Sequence, residues 1–168
     1  MYIKFVPEIS LPVRLEDEIK QSSFQSEAQK AYLNVLYTAG WLGQRQSAAF
    51  RPLGLTAPQF NILRILRGQH PKPATVALLI DRMLDKTSNA SRIVDKLEEK
   101  QLVTRQVCPA NRRAVDIRIT EAGLRLLQFI DNEGITDANR AGLGQLTEAE
   151  QQQLNYLLDK IRATSPDA

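Results

Sequence analysis

Apolar positions recur at helical spacing over most of the chain and at strand spacing in one short stretch. From Glu27 to Phe50, Ala28, Ala31, Tyr32, Val35 and Ala39 follow the helical period, and Leu33, Leu36, Tyr37 and Trp41 form a second stripe beside them. Ser26 with Gln29 fits a capping box at the start, and Pro52 and Gly54 end the pattern. A helix apolar on two sides needs two surfaces to pack against. Ahead of it, Pro7 and Pro12 make the first 22 residues an irregular arm, with a short helix at most between Arg14 and Gln21.

Thr56 and Gln59 form another capping box, opening a helix that carries Phe60, Ile62, Leu63 and Leu66 to a stop at Gly68. His70 to Pro73 is a loop stiffened by two prolines, where His70 suits a surface or capping role. Thr75 caps a short helix with Val76, Leu79 and Ile80. After a break at Met83 to Asp85, a third helix runs to about Lys100, with Ala90, Ile93, Val94 and Leu97 as its buried face. Leu102–Val107 and Ala114–Ile119 read as strands, since Val115, Ile117 and Ile119 alternate with Asp116 and Arg118. The segment Cys108-Pro109-Ala110-Asn111-Arg112-Arg113 holds the turn between them. Thr120 then caps a helix through Leu124, Leu127 and Ile130, and Gly134 interrupts it. Thr147 and Glu150 open a last helix bearing Leu154, Leu157, Leu158 and Ile161, and residues 164–168 fray.

Charge changes the picture by its location. The net charge is only +3, from 22 Lys and Arg against 19 Asp and Glu. Between Arg82 and Arg118 nine basic residues face five acidic ones, a surplus of four, so the remaining chain is at −1. All the positive excess therefore coincides with the third helix and the hairpin. One Cys excludes an intramolecular disulfide framework and a cysteine-based zinc site. No apolar run is long enough to span a membrane, and no signal-peptide core is present, so the expected compartment is the cytoplasm.

The third helix carries the candidate chemistry. Opposite its apolar face stand Thr87, Ser88, Asn89, Ser91, Arg92 and Lys96. Hydroxyls and cations can contact phosphates, while Asn and Arg can make paired bonds to base edges. The plain alternative is a solvated amphipathic face. A basic hairpin directly after it shifts the balance, with Arg105, Asn111, Arg112 and Arg113 as further contacts. Short helix, turn, polar-faced helix and basic hairpin, in that order, make a winged helix-turn-helix. The expected fold is mainly α with a small β-hairpin wing: an arm over 1–22, an N-terminal helix within 23–54, the winged domain over 55–120 and C-terminal helices over 121–163.

The wording of the chain resembles the MarR family of bacterial transcriptional regulators. The likeness lies in Leu55-Thr56-Ala57-Pro58-Gln59-Phe60, in Arg92-Ile93-Val94-Asp95-Lys96-Leu97-Glu98 and in Ile119-Thr120-Glu121-Ala122-Gly123. Arg113 matches the arginine of the family's Asp-x-Arg wing motif. Asn111 stands where the family has Asp, so an amide replaces the carboxylate that would pair with that arginine. The resemblance implies a homodimer built through the N- and C-terminal helices, with two recognition helices reading a pseudo-palindrome in double-stranded DNA. Half-sites would lie about 10 base pairs apart. It also implies repression relieved by a small aromatic or lipophilic effector, in a pocket for which Tyr37, Trp41, Arg45 and Phe60 are candidates; plain core and interface packing explains the same residues.

Cys108 lies near Arg105, Arg112 and Arg113, and positive neighbours lower a thiol's pKa. Members resembling the hydroperoxide-sensing branch keep their reactive thiol in the first helix, where this chain has none, so Cys108 reads either as a bystander or as a site of oxidation-dependent release. Two rivals to a DNA-binding regulator remain. A winged helix used only for protein interaction would have no use for Arg92, Arg112 and Arg113. An enzyme finds no support, because the chain has one His, one Cys, no phosphate-cradling loop and no metal-ligand spacing. No cofactor is implied.

Overall fold

The computed structural model describes residues 13–108, 111–138 and 142–163, with the backbone alone at 108 and 111–114. The expected arm over 1–12 and the frayed tail over 164–168 lie outside the described residues. In order, the elements are α1 (Leu15–Glu18), α2 (Glu27–Phe50), α3 (Ala57–Gln69), α4 (Val76–Arg82), α5 (Ala90–Glu99), β1 (Val103–Cys108), β2 (Asn111–Ile119), α6 (Glu121–Asn132) and α7 (Glu148–Arg162). Short 3-10 turns occur at Arg51–Leu53 and Leu143–Gln145. The chain forms two compact units that divide after Leu42, within α2.

The first unit pairs α1 with the start of α2. Leu15 is buried, and Glu16 bridges Arg14 at 3.0 Å and Lys30 at 2.7 Å. The Lys30 ammonium holds the Glu16 carboxyl down at about 2. Lys30 also lies over the Phe24 ring, 5.8 Å from its centroid. Ser26 caps α2 through the Gln29 N–H, as expected. The Gln29 side chain reaches back to the Gln25 N–H rather than to Ser26, so the box is displaced by one residue.

The second unit holds the core. Phe50, Leu55, Phe60, Ile62, Leu63, Leu66, Leu79, Val94, Leu97, Ile117, Leu127 and Ile130 are all buried within it. Capping boxes form at Thr56/Gln59 and Thr147/Glu150, and Thr75 and Thr120 cap α4 and α6. Each such cap contributes about 1 kcal/mol. Gly54, with φ of 62°, ends the turn after α2 in the left-handed region that favours glycine. Gly68 does not stop α3, which runs on to Gln69 and closes with the His70 N–H on Leu66 and Arg67 carbonyls. The prolines that follow end it instead.

The hairpin is longer than the sequence suggests. β2 begins at Asn111 rather than Ala114, so Arg112 and Arg113 belong to a strand and not to the turn. β1 and β2 are antiparallel, pairing Val103 with Ile119 and Arg105 with Ile117, and an irregularity falls between Val107 and Cys108. Ala74 adds a bridge on the outer side of Ile117.

Among the described residues, two apolar stripes stay largely exposed. On α2, Tyr32, Val35 and Leu36 are exposed; on α7 no residue is buried, and Ile161 is 58% exposed. At that helical spacing Leu157 and Ile161 are exposed, while Leu154 and Leu158 are half-buried.

Candidate nucleic-acid interface

α4 and α5 form the helix-turn-helix, with Met83 buried at the turn and Leu84 88% exposed. The Leu84 N–H donates to the side-chain oxygen of Asn61 (Oδ1) at 3.0 Å, which ties the turn to α3. The Lys86 ammonium folds back onto the Ile80 and Asp81 carbonyls, at the end of α4 where the helix dipole favours a cation.

Thr87, Ser88 and Asn89 stand ahead of α5 and not in its first turn. Asn89 is the N-cap, its side-chain oxygen accepting the Arg92 N–H at 3.0 Å. Asn is among the best residues at that position because its oxygen satisfies an orphan N–H. Before it, Asp85 organises the approach: Oδ1 accepts the Thr87 N–H at 2.9 Å and the Thr87 hydroxyl at 2.7 Å, and Oδ2 accepts the Ser88 hydroxyl at 2.6 Å. These bonds, the Ser88 hydroxyl first, hold the Asp85 carboxyl down at about 2.

Beyond the cap, Ser91, Arg92 and Lys96 are exposed on α5. The Arg92 guanidinium makes no ion pair among the described residues, while Lys96 pairs with Glu99 at 2.9 Å. Thr56, Pro58, Gln59, Ser88, Asn89, Arg92, Ile93 and Lys96 line a shallow groove of about 300 Å³ between the start of α3 and α5. The structure thus gathers Ser88, Asn89, Arg92 and Lys96 at one surface.

Arg105 lies elsewhere. Its guanidinium sits 2.5 Å from Asp95 and 3.7 Å from Glu98, and donates to the Ser91 carbonyl at 3.0 Å. Spacing alone could not show this, because the acids lie seven and ten residues back on another element. The side chains of Cys108, Asn111, Arg112 and Arg113 lie outside the described residues; their backbone places them at the end of β1 and the start of β2. Lys100, another cation of the basic window, turns inward to Gln59.

The effector candidates separate. Tyr37 and Trp41, in the first unit, line a cleft of about 230 Å³ with Val13, Leu15, Glu18, Asn34 and Thr38. The Tyr37 hydroxyl donates to Glu18, which pushes its pKa up. Phe60 belongs to the core of the second unit, its ring 4.6 Å from that of Phe50 and tilted 35°. Arg45 is exposed on α2. No helix among the described residues is long and apolar enough to cross a membrane.

Known proteins resemble this chain over the same surface. The family model described as MarR matches residues 55–115. The HTH-type transcriptional regulator YpoP of Bacillus subtilis (strain 168) is 36% identical over 107 residues, which span 64% of this chain and 74% of that protein. The solved MarR transcription factor of Planctomyces limnophilus is 32% identical with a TM-score of 0.63, over 82% of this chain and 98% of that one. Bordetella bronchiseptica BpsR shares the fold, with a TM-score of 0.68 at 22% identity over 86% of this chain and all of that one. The YpoP relative and the solved Planctomyces protein are a transcriptional regulator and a transcription factor by name, not enzymes.

Proposed function

Since the chain belongs to the MarR family of DNA-binding transcriptional regulators, we propose that it acts as a homodimer on a pseudo-palindromic operator. In this reading α5 enters the major groove, the β1–β2 hairpin reaches the adjoining minor groove, and transcription is repressed until a small ligand releases the protein. The observation that carries it is the surface holding Ser88, Asn89, Arg92 and Lys96 at the start of α5, directly followed in sequence by a basic hairpin. Asn and Arg suit base edges and Lys suits phosphate.

Dimerisation is supported by the apolar residues left exposed on α2 and on α7, each a stripe that a second copy would cover. Ligand release is supported by the cleft at Tyr37 and Trp41, whose mixed aromatic and polar lining suits a small aromatic molecule. In BpsR, of the same fold, DNA binding is regulated by 6-hydroxynicotinic acid. A regulator of this kind works in the cytoplasm, where its DNA lies.

Fluorescence anisotropy on fragments of the source genome, including the DNA upstream of its own gene, tests this across a salt series. Tight binding to one fragment, with log K falling steeply as log salt rises, is expected. Weak binding, equal on every fragment, would replace the reading with that of a protein-interaction module.

A further inference from the structure

Arg105 has the charge of a DNA contact and the surroundings of a clamp. Its register partner Ile117 is buried and fixed on the other side, exchanging hydrogen bonds of 2.9 and 2.8 Å with Ala74. Arg118, next along β2, donates to the Pro71 carbonyl at 2.5 Å. At this level β2 is therefore held by the loop before α4. β1 is held by Arg105 against Asp95, Glu98 and the Ser91 carbonyl of α5. Two residues further out, the pair Val107 and Val115 is exposed on both strands. The hairpin projects from a clamped base.

On the DNA-binding reading above, we propose that Arg105 is a positioning residue, which fixes the pitch of the hairpin against α5 so that both meet one duplex together. Cys108 stands three residues beyond Arg105, roughly 10 Å along β1. A tilt of about 15° moves that end by about 3 Å, more than a hydrogen bond tolerates. The same grip accounts for two carboxylates on a helix that reads DNA. Facing phosphate alone, Asp95 and Glu98 would weaken binding; paired with Arg105, they aim the wing.

The sign of one effect separates these roles. A duplex selected from a random library by the wild-type protein, and a duplex of random sequence, are titrated in a salt series with Asp95→Ala, Arg105→Ala and Arg105→Lys, each also melted thermally. Asp95→Ala is expected to weaken binding to the selected duplex about tenfold, although it removes a negative charge. Arg105→Ala weakens it at least as much, with the slope of log K against log salt unchanged, and Arg105→Lys, which keeps a cation beside Asp95, restores part of the loss. Hydroxyl-radical footprints of both Ala variants lose protection at the flanks and keep it at the centre. Tighter binding by Asp95→Ala overturns the proposal, as does a fall of about 0.9 in the slope for Arg105→Ala, the mark of one lost phosphate contact. If Arg105→Ala does not fold, the Asp95→Ala result decides. A wild-type protein that binds neither duplex removes the DNA-binding reading and this proposal with it; binding with a charge-only response removes the proposal alone.

Discussion

The Lys100 ammonium donates to the side-chain oxygen of Gln59 at 2.9 Å, and that same oxygen accepts the Thr56 N–H at 3.2 Å. The end of α5 is thereby tied to the capping box that begins α3. Gln59 is the one buried polar side chain of the described core, so its oxygen depends on these partners. Gln59→Leu removes the box and leaves Lys100 with only the Gly54 carbonyl of its two acceptors. A loss of about 1–3 kcal/mol in stability is expected by urea unfolding, and Lys100→Met should cost less, because Gln59 keeps Thr56.

Asn89 is the N-cap that holds the Arg92 N–H, and on the proposed function its amide hydrogens would also meet DNA. Asn89→Ala should lower stability by about 1 kcal/mol and weaken specific binding together. Asn89→Ser keeps a cap and isolates the DNA term. A variant with Ser that binds as well as wild type would make Asn89 structural only.

Arg92 should act on binding and not on folding, since its guanidinium is exposed without an ion pair among the described residues. Arg92→Ala is expected to leave the melting curve in place and cost about 1–3 kcal/mol of binding. If the loss is confined to sequences sharing one base, the contact is to that base edge. An equal loss on all sequences marks a phosphate contact.

Gly123 lies where α6 crosses the base of the hairpin. A Cβ there would come within 2.5 Å of the Leu102 carbonyl oxygen and 2.7 Å of the Ile119 side chain. Backbone cannot step aside as a side-chain tip can. Gly123→Ala should destabilise by about 1–3 kcal/mol in thermal or denaturant unfolding, despite alanine's better helix propensity.

Acid should loosen the approach to α5 before most of the core. The Asp85 carboxyl is held at about 2 against an ordinary 3.8, so the hydrogen bonds of its ionised form stabilise the fold above about 4 and are lost as pH falls towards 2. Amide exchange at Thr87 should accelerate over that window. Asp85→Asn, which cannot titrate, should flatten the change at Thr87 while Glu16 and other carboxyls still respond.

Much of this arrangement is written in local pattern. The bounds of α2 and the caps at Thr56, Thr75, Thr120 and Thr147 follow from short-range chemistry, in which a hydroxyl meets an N–H three residues on. What sequence could not show is where long side chains go. Arg105 reads as a DNA contact by charge and Lys100 shares its basic window, yet a partner on a neighbouring helix engages the one and a partner 41 residues away the other. Likewise the strand start at Asn111 depends on pairing with Cys108, which periodicity in a Cys-Pro-Ala-Asn stretch does not reveal.

A hydroxyl carries a single hydrogen. Thr87 and Ser88 have each given theirs to Asp85, so towards a duplex they can turn only lone pairs. On the proposed function these two hydroxyls would accept from an amino group and not serve phosphate oxygen, an amino group of the kind that adenine and cytosine show in the major groove and guanine and thymine do not. On that reading, the mouth of α5 would set these two acceptors beside the donors of Asn89 and Arg92, and an operator base stripped of its exocyclic amine would lose its bond to the acceptors.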